Sequence, residues 1–494
     1  MILLQNVPLF AIILSLLCAV GCFVSTRKMS RILTLGLLGL SAAAQGALLH
    51  YCYVNQLSYT FMMGHYPAPW GNELIVSPLE CGMACLFSVL MLLSVLGGGE
   101  HIAHDIQEGK QDLYWSMVCL THAALLALCY TNDLFTGYVF IEILTISSCA
   151  LLAAREGGRS LIASVRYMIF SLVGSGLFLI GVIYLYSITG HLLFPQLRQA
   201  AVALWESGAY RLPLTVTIGL MSVGLSIKSG LFPFHFWVPD AHSRATVASS
   251  CILSGVIFKG YLMLLIKIIY RVFTPEVFYG SGVGTVLFLF GIMGMIFCSV
   301  SAIFTKKIKM MVAYSSTAQI GYVFMGLGLG TPAMLLAALL QIVAHAVTKP
   351  VLFLSAVALA DVSGGRQDFT ALRGAAHRDN ASGVLFTVGA LSIVGLPLLA
   401  GFIPKLHFAS AAAQLGWQTW VVWLALAAST ILNVLYFLYT VMLLWLPAPE
   451  DTHEPHHTWV RTIPAFCLMA INLTMGLRPQ WWTALLSRGM ELLQ

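Results

Sequence analysis

The sequence predicts an all-α integral membrane protein of about fourteen transmembrane helices, and three observations carry that expectation. Hydrophobic residues make up 59% of the 494 and charged residues only 9%, with a mean hydropathy of +0.88. Soluble domains run near 45–50% apolar and about 25% charged. Apolar runs of about 20 residues, the length that crosses a bilayer, recur along the chain. Basic residues crowd the loops on one side of these runs and are scarce on the other, which is a topology signal.

Taken in order, the runs place helices at 4–24, 32–54, 74–96, 113–131, 133–154, 162–188, 213–233, 245–271, 283–304, 311–329, 332–360, 381–412, 417–446 and 460–477. The first, Val7–Val24, is too long for a signal-peptide core and lacks a charged start and a small-residue cleavage site, so it reads as a retained helix. With the N-terminus outside, the inward loops hold fifteen of the 25 Lys and Arg residues, the outward side holds six, and four lie within the membrane. The positive-inside bias therefore places both termini and the Tyr51–Asn72 loop outside. Lys306, Lys307 and Lys309 read as an inward topology anchor, and Lys267 and Arg271 as side chains snorkelling to the outward surface.

Two helices carry internal breaks. Helix 7 runs into Ser229-Gly230-Leu231-Phe232-Pro233, and helix 12 contains Gly395-Leu396-Pro397 and Gly401-Phe402-Ile403-Pro404. Proline removes a backbone donor and clashes with the preceding turn, and discontinuous helices at membrane depth are a transporter trait. A faint repeat accompanies them. Gly137-Tyr138-Val139-Phe140 recurs as Gly321-Tyr322-Val323-Phe324, and Gly230-x-x-Pro233 as Gly401-x-x-Pro404, each five helices on. An odd offset implies inverted halves. The expected divisions are a three-helix segment at 1–112, inverted five-helix repeats at 113–271 (helices 4–8) and 272–446 (helices 9–13), and helix 14 within 447–494.

Five ionisable side chains fall near the middle of these runs: Glu142, Lys228, Lys259, Lys349 and Lys405. A charge at a bilayer centre costs roughly 2.5–3.5 kcal/mol on insertion scales, and such residues are kept where they face a wet cavity or pair with one another. An ion or proton pathway is the reading they favour. Glu142 and Lys228 make sense as partners, with a static packing pair as the alternative. Histidine titrates near neutrality, so His242 is a candidate to pass a proton between Lys228 and Lys259. His345 and Lys349, four residues apart, share one face of helix 11. Asp133 and His235 are accessory candidates, His235 being as readily a core histidine. His122 and His407 read as structural.

Other chemistries find no support. The eleven cysteines are scattered without a C-x-x-C pair, so neither a disulfide framework nor a metal or cluster site is expected, and no cofactor. No phosphate-binding G-x-x-x-x-G-K motif is present. The net charge of +6 is dispersed among short loops, which argues against nucleic acid as a partner.

These motifs together resemble one family: the antiporter-like membrane subunits shared by respiratory complex I, Mrp-type sodium/proton antiporters and membrane-bound hydrogenases. The resemblance spans helices 4 to 13. It rests on Lys228-x4-Pro233-x-His235-x-Trp237-x-Pro239-x-Ala241-His242, Lys259, Ala313-Tyr314-Ser315-Ser316, and His345-Ala346-Val347-Thr348-Lys349 before Leu352-Phe353-Leu354. It implies Glu142 with Lys228 as a control pair, Lys259 and Lys349 as central relays and Lys405 as the terminal site. It also implies sister membrane subunits as partners, including homologous ones, in a bacterial or archaeal cytoplasmic membrane. Ser243-Arg244-Ala245-Thr246-Val247-Ala248-Ser249-Ser250 departs from the Pro-containing stretch of many relatives. A hydrogenase-like or Mrp-like parent complex is favoured over a quinone-reducing one. An autonomous organic-solute transporter and an energy-coupling subunit for inorganic carbon uptake remain as alternatives.

Overall fold

The computed structural model describes residues 2–66, 71–155, 157–447 and 459–493. Parts of the Tyr51–Asn72 loop and of the segment joining helices 13 and 14 lie outside these. The principal helices, in chain order, are α1 (Val7–Val24), α2 (Arg27–Val54), α3 (Pro78–Gly97), α4 (Gln111–Tyr130), α5 (Leu134–Ala153), α6 (Gly158–Thr189), α7 (Arg211–Ser229, resumed at Trp237–Arg244), α8 (Val247–Val272), α9 (Val283–Phe304), α10 (Ile308–Leu329), α11 (Pro332–Asp361), α12 (Asn380–Val394, resumed at Phe402–Ala412), α13 (Gln418–Leu444) and α14 (Trp459–Leu477). Among the described residues, eleven helices are long and apolar enough to cross a membrane. The others are α10, which carries Lys309, Ser315, Ser316, Thr317 and Gln319, and the shorter α12 and α14.

The periphery and the centre of the bundle differ in kind. Helices α1, α2, α6 and α9 expose large apolar side chains such as Leu17, Ile32, Ile169 and Leu289, whereas α8, α10 and α11 are buried on every side. A helix that is apolar all round belongs inside a bundle or in lipid. Here polar groups sit on the three that are fully enclosed. Close approach is built from glycine: a Cβ at Gly255 would lie 2.9 Å from the Pro350 ring, so α8 can pack directly on α11 at its internal proline.

Both breaks are present. The first limb of α7 ends on Gly230 (φ 74°) and the first limb of α12 on Gly395 (φ 94°), each in the left-handed region that glycine adopts without strain. Gly401, paired with Gly230 in the sequence reading, has an ordinary right-handed backbone. Gly395 thus shares the left-handed turn of Gly230.

Three further departures stand out. The Tyr51–Asn72 loop opens an antiparallel hairpin, Tyr59–Met62 with Glu73–Val76, so the chain is not purely helical. The hairpin is stitched to the turn between α4 and α5, where the Asn132 amide donates to the Glu73 carbonyl at 3.1 Å. Amphipathic surface helices at Phe194–Glu206 and Pro479–Glu491 were not foreseen, because they are too short and polar to register as spans. The loops expected to be basic do gather at one end: Arg27 meets Glu108 at 2.7 Å, Arg155 meets Asp105 at 3.7 Å, and Arg461 meets Glu100 at 2.5 Å. The hairpin lies at the other end.

Candidate functional site

Four lysines run through the middle of the bundle, each held by neutral oxygens. Lys228, at the end of the first limb of α7, is buried and donates to the Thr145 hydroxyl of α5 at 2.6 Å. Thr145 follows Glu142 by three residues on the same helix, so the ammonium meets the Glu142 helix almost one turn along. Among the described residues no ion pair closer than 4 Å joins Glu142 to Lys228, and one carboxylate oxygen of Glu142 is buried without a hydrogen-bond partner. Glu142 is half-buried on a flank of α5 whose neighbours Val139 and Ile146 are exposed. The expected pair is thus a separated one: an enclosed lysine and a carboxylate at the rim.

Lys259 owes its setting to a local distortion of α8. The turn at Leu253–Ile257 is a wide π turn, and the Ser254 carbonyl accepts the Lys259 ammonium from five residues on. Such bulges redirect carbonyls from the regular helical ladder and recur at functional sites. The hydroxyl of Ser254 donates to that of Ser316 on α10 at 2.9 Å, and Ser316 donates to the Val312 carbonyl at 3.1 Å. The same Val312 carbonyl accepts Lys349 of α11 at 2.9 Å, and Lys349 also donates to the Ser315 hydroxyl. Lys259 and Lys349 are therefore joined through Ser254, Ser316 and Val312.

Lys405 uses the second break. Ending α12 at Gly395 leaves carbonyls without helical partners, and the ammonium takes those of Val394 at 2.7 Å and Ile393 at 3.2 Å, with the Thr430 hydroxyl of α13 at 3.2 Å. A cation at a helix C-terminus also meets the negative end of the helix dipole. The Asn472 side chain of α14 spans the break, donating to Ser392 at 3.0 Å and to Thr348, beside Lys349, at 2.7 Å, while its oxygen accepts the Ala400 amide at 3.3 Å.

The histidines separate into two kinds. His122 is satisfied on both ring nitrogens, by Ser15 at 2.9 Å and Ser88 at 3.0 Å, as a packing residue would be. In His242 and His345 both ring nitrogens are buried and meet no hydrogen-bonding group among the described residues, and His242 stacks on Phe353 with centroids 4.7 Å apart. His235 stacks on Phe232 with centroids 5.5 Å apart. Asp133 caps α5 by accepting the Thr136 amide at 2.6 Å.

Two assignments from the sequence are overturned. Lys267 and Arg271 do not snorkel. Lys267 is buried and donates to the carbonyls of Cys129 (2.7 Å) and Thr131, and Arg271 pairs at 2.9 Å with Glu80, which the sequence reading passed over. Nor does Lys309 belong with the exposed Lys306 and Lys307. It lies inside the first turn of α10, buried, with its ammonium 2.5 Å from the Ala245 carbonyl. In both cases other helices close over the residue, which spacing from a helix end does not reveal. Ser315 and Ser316 stood inside a recognised motif without a role, and Ser254, Thr145, Thr430 and Asn472 gave no signal beyond being polar in an apolar run.

The comparisons with known proteins accord with this architecture. The family of transmembrane proteins described as NADH:quinone oxidoreductase/Mrp antiporter matches residues 131–432. NADH-quinone oxidoreductase subunit N of Desulforudis audaxviator is 32% identical over 404 residues, covering 80% of this chain and 78% of the relative. The D-type subunit of the Na+/H+ antiporter of Bacillus subtilis is 24% identical over 497 residues, covering 99% and 97%. Among solved structures, a chain of an archaeal membrane-bound sulfane sulfur reductase superposes with a TM-score of 0.87 at 22% identity, covering 98% of this chain and 97% of that one. A chain of the Mrp complex from Dietzia sp. does so at 0.85 and 22%, covering 100% and 98%. On the match across residues 131–432 and the 32% identity, the chain belongs to the NADH:quinone oxidoreductase/Mrp antiporter transmembrane family.

Proposed function

We propose that this chain is the proton-translocating, antiporter-like subunit of a multisubunit complex in a bacterial or archaeal cytoplasmic membrane, beside homologous sister subunits. The observation that carries the reading is the shared polar cluster that holds Lys259 and Lys349: Lys259 on the Ser254 carbonyl, the Ser254 hydroxyl on Ser316, and Ser316 and Lys349 both on the Val312 carbonyl. A proton moves along such a row when each lysine can give up its proton to a neighbour and be recharged. Their partners are hydroxyls and carbonyls, which leave the ammonium free to discharge without stranding a buried carboxylate.

In this reading the row runs from Lys228 by way of His242 to Lys259, then past His345 to Lys349, and ends at Lys405. Buried polar atoms are rarely left unpaired, so the bare ring nitrogens of His242 and His345 are where water would complete the path. His235 and Asp133 shape the surroundings, by stacking and by capping. Glu142 at the flank is the input: a neighbouring subunit that changes its separation from Lys228 changes the hold on the Lys228 proton. At an effective dielectric near 20, a unit pair at 4 Å is worth about 4 kcal/mol, ample to shift a proton along the row.

The same reading takes the bundle as fourteen crossings, with inverted five-helix repeats at 113–271 and 272–446 and both termini outside. The breaks at Gly230 and Gly395 support the repeat. A hydrogenase-like or Mrp-like parent complex is preferred. A quinone-reducing parent is the second reading, favoured by the 32% identity to a chain of an NADH-quinone oxidoreductase.

Proton pumping by the assembled complex in vesicles tests the proposal. Lys228→Ala and Glu142→Ala are each expected to abolish pumping while the complex stays assembled. Wild-type pumping in both would remove these residues from the path.

A further inference from the structure

We propose that the cavity at the basic-loop end of the bundle is the proton-collecting funnel of this subunit, and that Lys309 at its floor is the group that loads the central row. The inference rests on the reading of that row as a proton path and adds the place where protons join it.

The cavity has a volume of about 360 Å³ and is lined both by surface groups and by the buried Lys309. Its walls carry an unusual density of ionisable side chains for a chain with 9% charged residues. On one side His101 meets Asp361 at 3.1 Å, and Arg461 bridges Asp361 and Glu100. On the other, His104 meets Asp105 at 3.3 Å, and Asp105 meets Arg155 at 3.7 Å. Imidazoles exchange protons near neutral pH, and the carboxylates beside them draw protons to this wall by their charge. His104 is almost wholly exposed, whereas His101 is largely enclosed and has a buried ring nitrogen without a hydrogen-bond partner.

Lys309 connects this wall to the row. Its ammonium is held by the Ala245 carbonyl, three residues beyond His242. Val312, whose carbonyl takes both Ser316 and Lys349, follows Lys309 on α10 by three residues, a rise of about 4.5 Å. Lys309 and the Lys349 acceptor thus stem from neighbouring turns of α10. A topology anchor needs its charge in water among the headgroups, as Lys306 and Lys307 have it. A buried lysine that lines the same cavity as His101 and His104 does not serve that purpose. In the step proposed, a protonated imidazole or a hydronium in the cavity gives one proton to the neutral Lys309 amine. The new N–H bond then breaks as the same proton passes to the row, and Lys309 returns to the amine with no other bond changed.

The experiment measures proton pumping in vesicles by the assembled complex carrying Lys309→Ala, Lys309→Arg or Lys349→Ala. Both Lys309 variants are expected to lose about tenfold or more of the pumping rate, as when a positioned proton carrier is removed. Arginine keeps the charge and the donor but does not release its proton. Added methylamine, small enough for the cavity, is expected to restore pumping in Lys309→Ala and not in Lys349→Ala. Should the Lys309 variants fail to assemble, the double variant His101→Gln with Asp105→Asn serves instead. It is expected to slow pumping at alkaline pH, where protons are scarce, and to leave it near normal at acid pH. Wild-type pumping by Lys309→Arg, or an equal loss at every pH in the double variant, overturns the funnel. Normal pumping by Lys349→Ala overturns the central row itself, which separates the two failures.

Discussion

The Asn472 amide of α14 donates to the Thr348 hydroxyl of α11 at 2.7 Å, one residue before Lys349, while its carbonyl oxygen holds the Ala400 amide inside the break of α12 at 3.3 Å. One side chain therefore fixes the distance between the helix that carries Lys349 and the break that cradles Lys405. Neither group is near the other in sequence, and no charge marks Asn472.

Removing that clamp gives the first prediction. Asn472→Ala takes one bond each from Thr348 and Ser392, which keep the Ala344 carbonyl and the Gly401 amide, and takes the Asn472 acceptor from the buried Ala400 amide, at about 1–3 kcal/mol for a group left unsatisfied. A lower thermal-unfolding midpoint of the purified subunit is expected. An unchanged midpoint would show that the Ala400 amide finds another partner.

The serine bridge gives the second. Ser316→Ala cuts the connection between Ser254 and the Val312 carbonyl. Loosening the cluster that holds Lys259 and Lys349 by about 1 kcal/mol is expected to lower the pumping rate by up to about fivefold. Ser316→Thr keeps the hydroxyl and is expected to restore most of it, read as initial pumping rates in vesicles.

A third concerns Lys228. Lys228→Arg retains the charge but not the ability to cycle a proton, so pumping is expected to fall as far as in Lys228→Ala. Arginine variants that pump normally would assign Lys228 an electrostatic task only.

Packing supplies the fourth. Gly255→Val places side-chain carbon against the Pro350 ring, where even a Cβ would sit at 2.9 Å. Overpacking of this kind costs roughly 1–3 kcal/mol and would push the π turn of α8 away from α11. Reduced yield of folded protein and a lower unfolding midpoint are the expected outcomes.

The fifth tests orientation. Single cysteines at Lys306 and at Thr60, in the hairpin, are expected to react with a membrane-impermeant thiol reagent from opposite sides, Thr60 from outside. Labelling of both from one side would refute the alternation of basic loops.

Much of this molecule was legible in its sequence, for a physical reason. Lipid demands long apolar runs, so helix positions follow from composition. Glycine and proline write the breaks directly, as at Gly230-Leu231-Phe232-Pro233 and Gly395-Leu396-Pro397. The cost of buried charge made Lys228, Lys259, Lys349 and Lys405 conspicuous. What escaped depended on tertiary closure. Lys309 and Lys267 lie near helix ends, where a lysine ordinarily reaches water, and only the packing of other helices shows that these do not. Ser316 and Asn472 were invisible because a hydroxyl or an amide costs little in an apolar run. The hairpin at Tyr59–Met62 was hidden because its strands are only four residues each.

The cradle of Lys405 suits either count of hydrogens on its nitrogen. A protonated lysine has three N–H bonds, and Lys405 directs them to Val394, Ile393 and Thr430. A neutral amine has two. It also has a lone pair, so a neutral Lys405 can keep both carbonyls while the Thr430 hydroxyl turns to donate to its nitrogen. The broken end of α12 and the Thr430 hydroxyl thus form a cradle that can serve Lys405 as an ammonium or as a neutral amine without a change of helix position.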